Sequence, residues 1–127
     1  MKLLLDTHAL LWWLADSPRL GSEARARIAD PASLVFVSAA SVWEIAVKRE
    51  AGRLVAPGDV SSWIDDNGFL PLSIDVEHAI AAAELPAHHR DPFDRLLVAQ
   101  ARIESLTLVA QDTEIARYDV SLIDAGR

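Results

Sequence analysis

The sequence predicts an α/β fold, a three-layer α/β/α sandwich around a mainly parallel central sheet, with residues 1–127 forming one domain. Three observations predict it. Short apolar runs bounded by turn residues recur, as in Lys2-Leu3-Leu4-Leu5, Leu34-Val35-Phe36-Val37 and Leu106-Thr107-Leu108-Val109. Longer stretches of helical periodicity stand between them. Strand-like and helix-like segments alternate along the chain, the pattern that parallel pairing and right-handed crossovers produce.

Taken in order, residues 2–5 read as a buried strand and Thr7 to Ala15 as a helix that Asp16-Ser17-Pro18 ends. Ser22 is the expected N-cap of a helix from Glu23 to Ala29, broken by Asp30-Pro31. Leu34 to Val37 is the second strand, and Ser41 to Ala51 the next helix, with Ser41 and Glu44 fitting a Ser-x-x-Glu capping box. Asp59 to Asp66 is a short helix. Phe69 to Leu72 is a weak third strand, placed at a sheet edge by Pro71. Asp75 to Glu84 is helical. The strongest helix opens at Asp91-Pro92, a good N-cap followed by proline at the favoured first position, and runs to Glu104. Leu106 to Val109 is a fourth strand, a short helical stretch surrounds Glu114-Ile115-Ala116, and Val120 to Ile123 is the last strand.

Composition narrows the function. Apolar residues make up 51% of the 127, which argues against disorder. No apolar run approaches the ~20 residues of a membrane span, and Asp6 interrupts the first run too early for a signal peptide. The expected location is therefore the cytoplasm, with no membrane partner. There is no cysteine, which excludes disulfides, thiol catalysis and cysteine-ligated zinc. The net charge of −7 argues against a large basic face for nucleic acid. It fits a cluster of carboxylates held together by a divalent cation.

Four acids stand at comparable places. Asp6 ends the first strand, Glu44 lies in the first turn of the helix after the second, Asp94 lies in the first turn of its helix, and Asp112 follows the fourth strand. In a parallel sheet all four face the same edge, where ligands of α/β folds bind. Four carboxylates in one place repel one another unless one or two Mg²⁺ or Mn²⁺ ions relieve them. Such a centre suits phosphodiester hydrolysis by a metal-activated water. Each acid also has a local explanation: Asp6, Asp91 and Asp94 as helix-terminus acids, Glu44 as half of a capping box, Asp112 as a loop acid.

Three stretches give the chain a family likeness: Leu4-Leu5-Asp6-Thr7-His8-Ala9-Leu10-Leu11-Trp12, Ser41-Val42-Trp43-Glu44-Ile45-Ala46-Val47-Lys48, and Arg90-Asp91-Pro92-Phe93-Asp94-Arg95-Leu96-Leu97-Val98-Ala99-Gln100-Ala101. The chain resembles the PIN-domain ribonucleases, and within them the VapC toxins of type II toxin–antitoxin pairs. The resemblance covers essentially the whole chain. It implies a Mg²⁺- or Mn²⁺-dependent endoribonuclease whose catalytic and metal-binding acids are Asp6, Glu44, Asp94 (rather than Asp91) and Asp112. Thr7 and Ser38 fall at hydroxyl positions that support such a site. Ala110 stands where many relatives carry a threonine, which makes Asp112 the least secure of the four. The resemblance further implies an RNA substrate, often a tRNA or rRNA loop, a homodimer, and inhibition by a VapB-like antitoxin whose C-terminal tail lies along the active-site groove.

Arg90, Arg95 and Lys48 are candidate RNA contacts, with ion pairing or solvation as the alternatives. His8 reads as a helix-start or packing residue. His88, His89 and Asp91 form a weak zinc signal, because adjacent histidines in a loop diverge. Trp12 and Trp13 cannot share one helix face, so one is expected in the core and the other on a partner surface; Trp43 and Trp63 are expected in the core. Two other classes compete. A receiver-like signalling domain needs a paired acid after the first strand and a lysine after the last strands, but the chain has only Lys2 and Lys48. The other is a non-catalytic PIN-fold binding subunit, against which the presence of all four acids argues.

Overall fold

A computed structural model describes residues 1–56 and 58–127. The elements in chain order are β1 (Lys2–Leu5), α1 (Thr7–Leu14), α2 (Ser22–Ala29), β2 (Leu34–Ser38), α3 (Ala39–Glu50), α4 (Val60–Asp66), β3 (Leu70–Leu72), α5 (Val76–Glu84), α6 (Pro92–Ile103), β4 (Thr107–Ala110), a 3₁₀ turn (Ile115–Arg117) and β5 (Leu122–Asp124). The five strands form one sheet in the order β3-β2-β1-β4-β5, and every pairing is parallel. The predicted α/β fold is therefore the observed one. β1 is central, with Leu5 level with Val37 on one side and Val109 on the other.

The layers follow from the two-residue period of the strands. Leu3 and Leu5 point into a core built with Ala9, Leu10, Ala24, Ile28, Ile45 and Ile64, which seats α1, α2 and α4 on one face. Leu4 points the other way, into Leu97, Val98, Ala101, Leu108 and Ile115 beneath α6 and the 3₁₀ turn. Helix α3 contributes Ile45 to the first core and Ala40 to the second, so it straddles the sheet's carboxyl edge. Leu3, Leu4 and Leu5 are wholly buried, and burying each stabilises the fold by about 1.5–3 kcal/mol. Strand β1 is thus fixed firmly, and with it the position of Asp6.

Several boundaries differ from expectation, each for a tertiary reason. Helix α3 begins at Ala39, capped by Ser38, whose Oγ accepts from the Ala40 N–H at 3.0 Å. The Ser41–Glu44 capping box does not form. Ser41 and Glu44 lie inside the helix, buried, and Glu44 sits in its second turn rather than its first. Helix α2 is capped by Gly21, not Ser22. A Cβ at Gly21 would lie 1.8 Å from the Arg127 carbonyl carbon, so only glycine admits the close approach of the C-terminal segment. Strand β4 starts at Thr107, because the Leu106 N–H is taken by the Ala101 carbonyl where α6 ends. Strand β5 is Leu122–Asp124 rather than 120–123, since Tyr118 and Val120 pack into the α6-side core first. Trp43 is 61% exposed, against the expectation of a core residue: it projects from α3 and meets the Phe93 ring edge-on at 5.3 Å.

Candidate active site

Parallel pairing brings the carboxyl ends of β1, β2 and β4 to one edge, and the acids collect there. Asp6 follows β1. Its N–H donates to the Val109 carbonyl at 3.0 Å, which ties it to the end of β4. Its side chain caps α1, with Oδ1 accepting from the Ala9 N–H at 2.7 Å. The local reading of Asp6 as a helix cap is thus true, but it occupies only one carboxylate oxygen. Among the described residues, Asp6 Oδ2 has no hydrogen-bond partner.

Glu44 comes in from α3 and is 3% exposed. Both its oxygens are held: Thr7 Oγ1 donates to Oε1 at 2.5 Å, and Lys48, one turn on, places Nζ 2.6 Å from Oε2. A carboxylate this deep needs such partners. Thr7 Oγ1 also lies 3.2 Å from Ser41 Oγ, so the supporting hydroxyls beside Glu44 are Thr7 and Ser41. Ser38 turns elsewhere: it donates to Gln100 Oε1 at 2.6 Å and caps α3.

Asp94 is placed by the start of α6. Asp91 caps that helix, with Oδ1 accepting from Phe93 N–H at 2.8 Å and Asp94 N–H at 3.4 Å, and Pro92 is at the first turn. Asp91 is therefore a cap, and Asp94, one step further, faces the other acids. Asp112 follows β4, with Oδ1 accepting from the Glu114 N–H at 2.7 Å. The residue that joins these two is His89. Its Nε2 lies 3.0 Å from Asp94 Oδ2 and 2.9 Å from Asp112 Oδ2. One nitrogen and two carboxylate oxygens fall within 4.8 Å of one another, a spacing compatible with a metal ion.

The electrostatics express this crowding. Burial pushes the Asp6 carboxyl up to about 7; the Ala9 N–H opposes the rise, while the charges of Asp94, Glu44 and Asp112 add to it. Asp94 is also raised to about 7, by burial first and then by Asp91, with His89 pulling it down and Glu44 and Asp112 pushing it up. Asp112 goes the other way. Burial would raise it, but the hydrogen bonds from His89 and Glu114 and the charge of His89 bring it below its ordinary value. His89 is raised: burial disfavours its charge, and the bond to Asp112 with the charges of Asp112, Asp94 and Asp91 outweighs that.

The donor set fits a hard divalent cation. All four acids offer oxygen; among the described residues Asp6 Oδ2 and the Asp94 carboxylate accept no hydrogen bond, and those same two acids have a strained negative charge that a cation would relieve. Among the other candidate residues, Lys48 stands at the site through Glu44, and Arg90 is exposed at the head of α6. Arg95 is not available to a substrate. Its guanidinium donates to the carbonyls of Ala82, Leu85, Pro86 and His89, fastening the end of α5 to the loop before α6. His88 diverges from His89, as adjacent residues do, and packs edge-on against Tyr118 at 5.0 Å. His89 itself was within reach of sequence reasoning: it stands two residues before Asp91, whose cap fixes the helix that presents Asp94.

The PIN domain family model matches residues 3–121. The chain is 31% identical over 118 residues to Ribonuclease VapC22 of Mycobacterium tuberculosis, covering 91% of this chain and 90% of that one. It is 38% identical over 69 residues to Ribonuclease VapC16 of the same organism, about half of each chain. Among solved structures it is similar to VapBC2 from Rickettsia felis bound to a promoter DNA fragment, with a TM-score of 0.68 at 12% identity, covering 97% of this chain and 98% of that one. It is also similar to FitAcB from Neisseria gonorrhoeae, with a TM-score of 0.62 at 21% identity and 97% of both chains. From strand order to sequence identity these findings agree: the chain belongs to the PIN-domain family, in its VapC branch.

Proposed function

We propose that this chain is a metal-dependent endoribonuclease and the toxin of a toxin–antitoxin pair, with Asp6, Glu44, Asp94 and Asp112 as its catalytic and metal-binding acids. One observation carries the reading. Asp6 and Asp94 are raised to about 7 by burial and mutual charge while each keeps an oxygen without a hydrogen bond, as a carboxylate cluster built for a cation should. The family supports it, since the relative matched over nine-tenths of the chain bears the name ribonuclease.

Asp6 Oδ2 and the Asp94 carboxylate are the groups best placed to hold Mg²⁺ or Mn²⁺, with Glu44 and Asp112 acting directly or through water. A cation bound there supplies a polarised water and stabilises charge on the phosphoryl oxygens. Thr7 and Lys48 hold the Glu44 carboxylate by its two oxygens and fix its orientation. Lys48 Nζ and Arg90, at the rim, meet the phosphates of the RNA. The wholly buried Leu5, Val37 and Val109 beneath them close the floor of the site to water.

Two surfaces support the expected protein partners. An apolar groove lined by Leu11, Trp12, Leu14, Leu54, Val55 and Trp63 suits an apolar segment of a VapB-like antitoxin, and the solved structures of similar fold are themselves toxin–antitoxin complexes. Trp43 and Val47, one turn apart on α3, are exposed apolar residues that suit contact with a second copy in a homodimer. Among the described residues no helix is long and apolar enough to cross a membrane, and the proposed place of action is the cytoplasm, where tRNA and rRNA are found.

The test is cleavage of total cellular RNA by the purified, antitoxin-free protein. Discrete fragments formed with Mg²⁺ or Mn²⁺, and lost with EDTA or in Asp6→Asn, are expected. Folded protein that binds neither ion and cleaves nothing would overturn the reading in favour of a binding-only domain.

A further inference from the structure

The geometry points to His89 as a positioning residue: its Nε2–H bonds the Asp112 carboxylate and its ring edge stands against that of Asp94, from outside the metal's coordination sphere. This inference rests on the metal-centre reading above and adds a residue that the four acids do not include.

The ring is set on both sides. Nδ1 lies 3.1 Å from the Asp91 nitrogen and accepts its N–H, which leaves Nε2 as the donor nitrogen of the ring. Nε2 donates to Asp112 Oδ2 at 2.9 Å, and Asp94 Oδ2 lies 3.0 Å from the same nitrogen, off the line of that N–H. The ring edge thus stands between two carboxylates whose charges repel. To ligate a metal through Nε2, the ring would have to move its proton to Nδ1. There it would point at the Asp91 N–H, setting donor against donor. The hydrogen-bond arrangement therefore selects the donor role over the ligand role.

The backbone of His89 is held as well. Its N–H donates to Tyr118 Oη at 3.0 Å and its carbonyl accepts from Arg95 Nη1 at 3.3 Å. Tyr118 Oη in turn donates to the Pro86 carbonyl at 2.7 Å. The ring thus hangs from a braced loop. With Oδ1 of Asp112 fixed by the Glu114 N–H and Oδ2 by His89, that carboxylate has one orientation. Asp94 Oδ2 lies against the same ring edge, which limits where that carboxylate can swing. Partners of this kind orient ligands, and losing one typically costs about 10–100-fold in metal affinity.

The experiment is Mn²⁺ titration by electron paramagnetic resonance on the full chain and three variants, with folding checked by circular dichroism. Glutamine carries an N–H near the place of Nε2; asparagine reaches only as far as Nδ1 and keeps an acceptor for the Asp91 N–H. His89→Ala and His89→Asn are expected to bind Mn²⁺ about 10–100-fold more weakly, and His89→Gln within a few-fold of wild type. Spin-echo modulation from the Mn²⁺-loaded wild type should show no directly bound nitrogen. Restoration by asparagine but not glutamine would reduce His89 to a loop brace and overturn the inference. A directly bound ¹⁴N signal lost in His89→Ala would overturn it in favour of ligation. Unchanged affinity in His89→Ala would overturn it outright. Failure of the wild type to bind Mn²⁺ at all would instead sink the metal-centre reading on which it rests.

Discussion

Asp6→Asn should make the metal-free protein more stable at pH 8 while abolishing its activity. The carboxyl is 4% exposed and raised from 3.8 to about 7. That rise corresponds to about 4 kcal/mol against the ionised form in the folded state. The sign follows from proton binding. Between pH 4 and 7 the folded protein keeps a proton that the unfolded chain has lost, so stability falls as pH climbs and the full penalty applies above 7. Asparagine is neutral throughout, and its Oδ1 can still cap α1 by accepting from the Ala9 N–H, a role it fills as well as aspartate. Allowing for desolvation of the amide, the gain at pH 8 in EDTA is about 2–4 kcal/mol, and for a chain of this size the midpoint rises by roughly 6–15 °C. At pH 4, where Asp6 is protonated, the two proteins should melt together. At pH 8, adding Mn²⁺ in place of EDTA should raise the wild type and leave the variant where it was. Differential scanning calorimetry at the two pH values reads all of this. A variant no more stable than wild type at pH 8 in EDTA would refute the reasoning, because Asp6 would then carry no electrostatic strain for a cation to relieve.

Other consequences can be checked alongside. Metal affinity should rise between pH 6 and 8, since Asp6 and Asp94 must lose protons to bind; calorimetry in buffers of different ionisation enthalpy should show proton release, with about a tenfold loss per pH unit below 7 for each proton displaced. Thr7→Val removes the hydroxyl from buried Glu44 and should cost about 1–3 kcal/mol of stability in chemical denaturation, with cleavage falling at least about tenfold. Arg95→Lys should lower stability by about 2 kcal/mol, because one ammonium cannot serve the carbonyls that the guanidinium spans, while Mn²⁺ affinity changes little. Trp43→Ala should leave monomer stability within about 1 kcal/mol of wild type and weaken self-association in analytical ultracentrifugation.

Much of the fold was legible because its signals are local and agree with one another. The apolar run at β1 ends in an acid, Asp91-Pro92 announces α6, and Pro71 marks β3 as an edge strand. The four acids were legible for the same reason: each sits just past a strand or early in a helix, and parallel topology alone carries them to one edge. What was misread depended on tertiary competition. Ser41 and Glu44 make a convincing capping box, but Ser38 caps α3 one turn earlier, and the box residues are drawn inward to Thr7. Trp43 is apolar on an amphipathic helix, yet the sheet edge turns its face outward. Arg95, beside Asp94 in sequence, lies on the side of α6 that meets α5, so its charge serves carbonyls instead of phosphates. His89 reads in the sequence only as half of a weak zinc signal with His88, because nothing local shows that the His88 ring packs on Tyr118 while His89 turns to the acids.

The measurement that tests the account most directly is the initial rate of cleavage of a mapped RNA target against Mn²⁺ concentration, for wild type and Asp94→Asn. The account predicts saturable activation of the wild type from zero in EDTA, and a variant at least about 100-fold slower at every concentration. Cleavage that persists in EDTA, or that Asp94→Asn leaves unchanged, would contradict a metal centre built on these carboxylates.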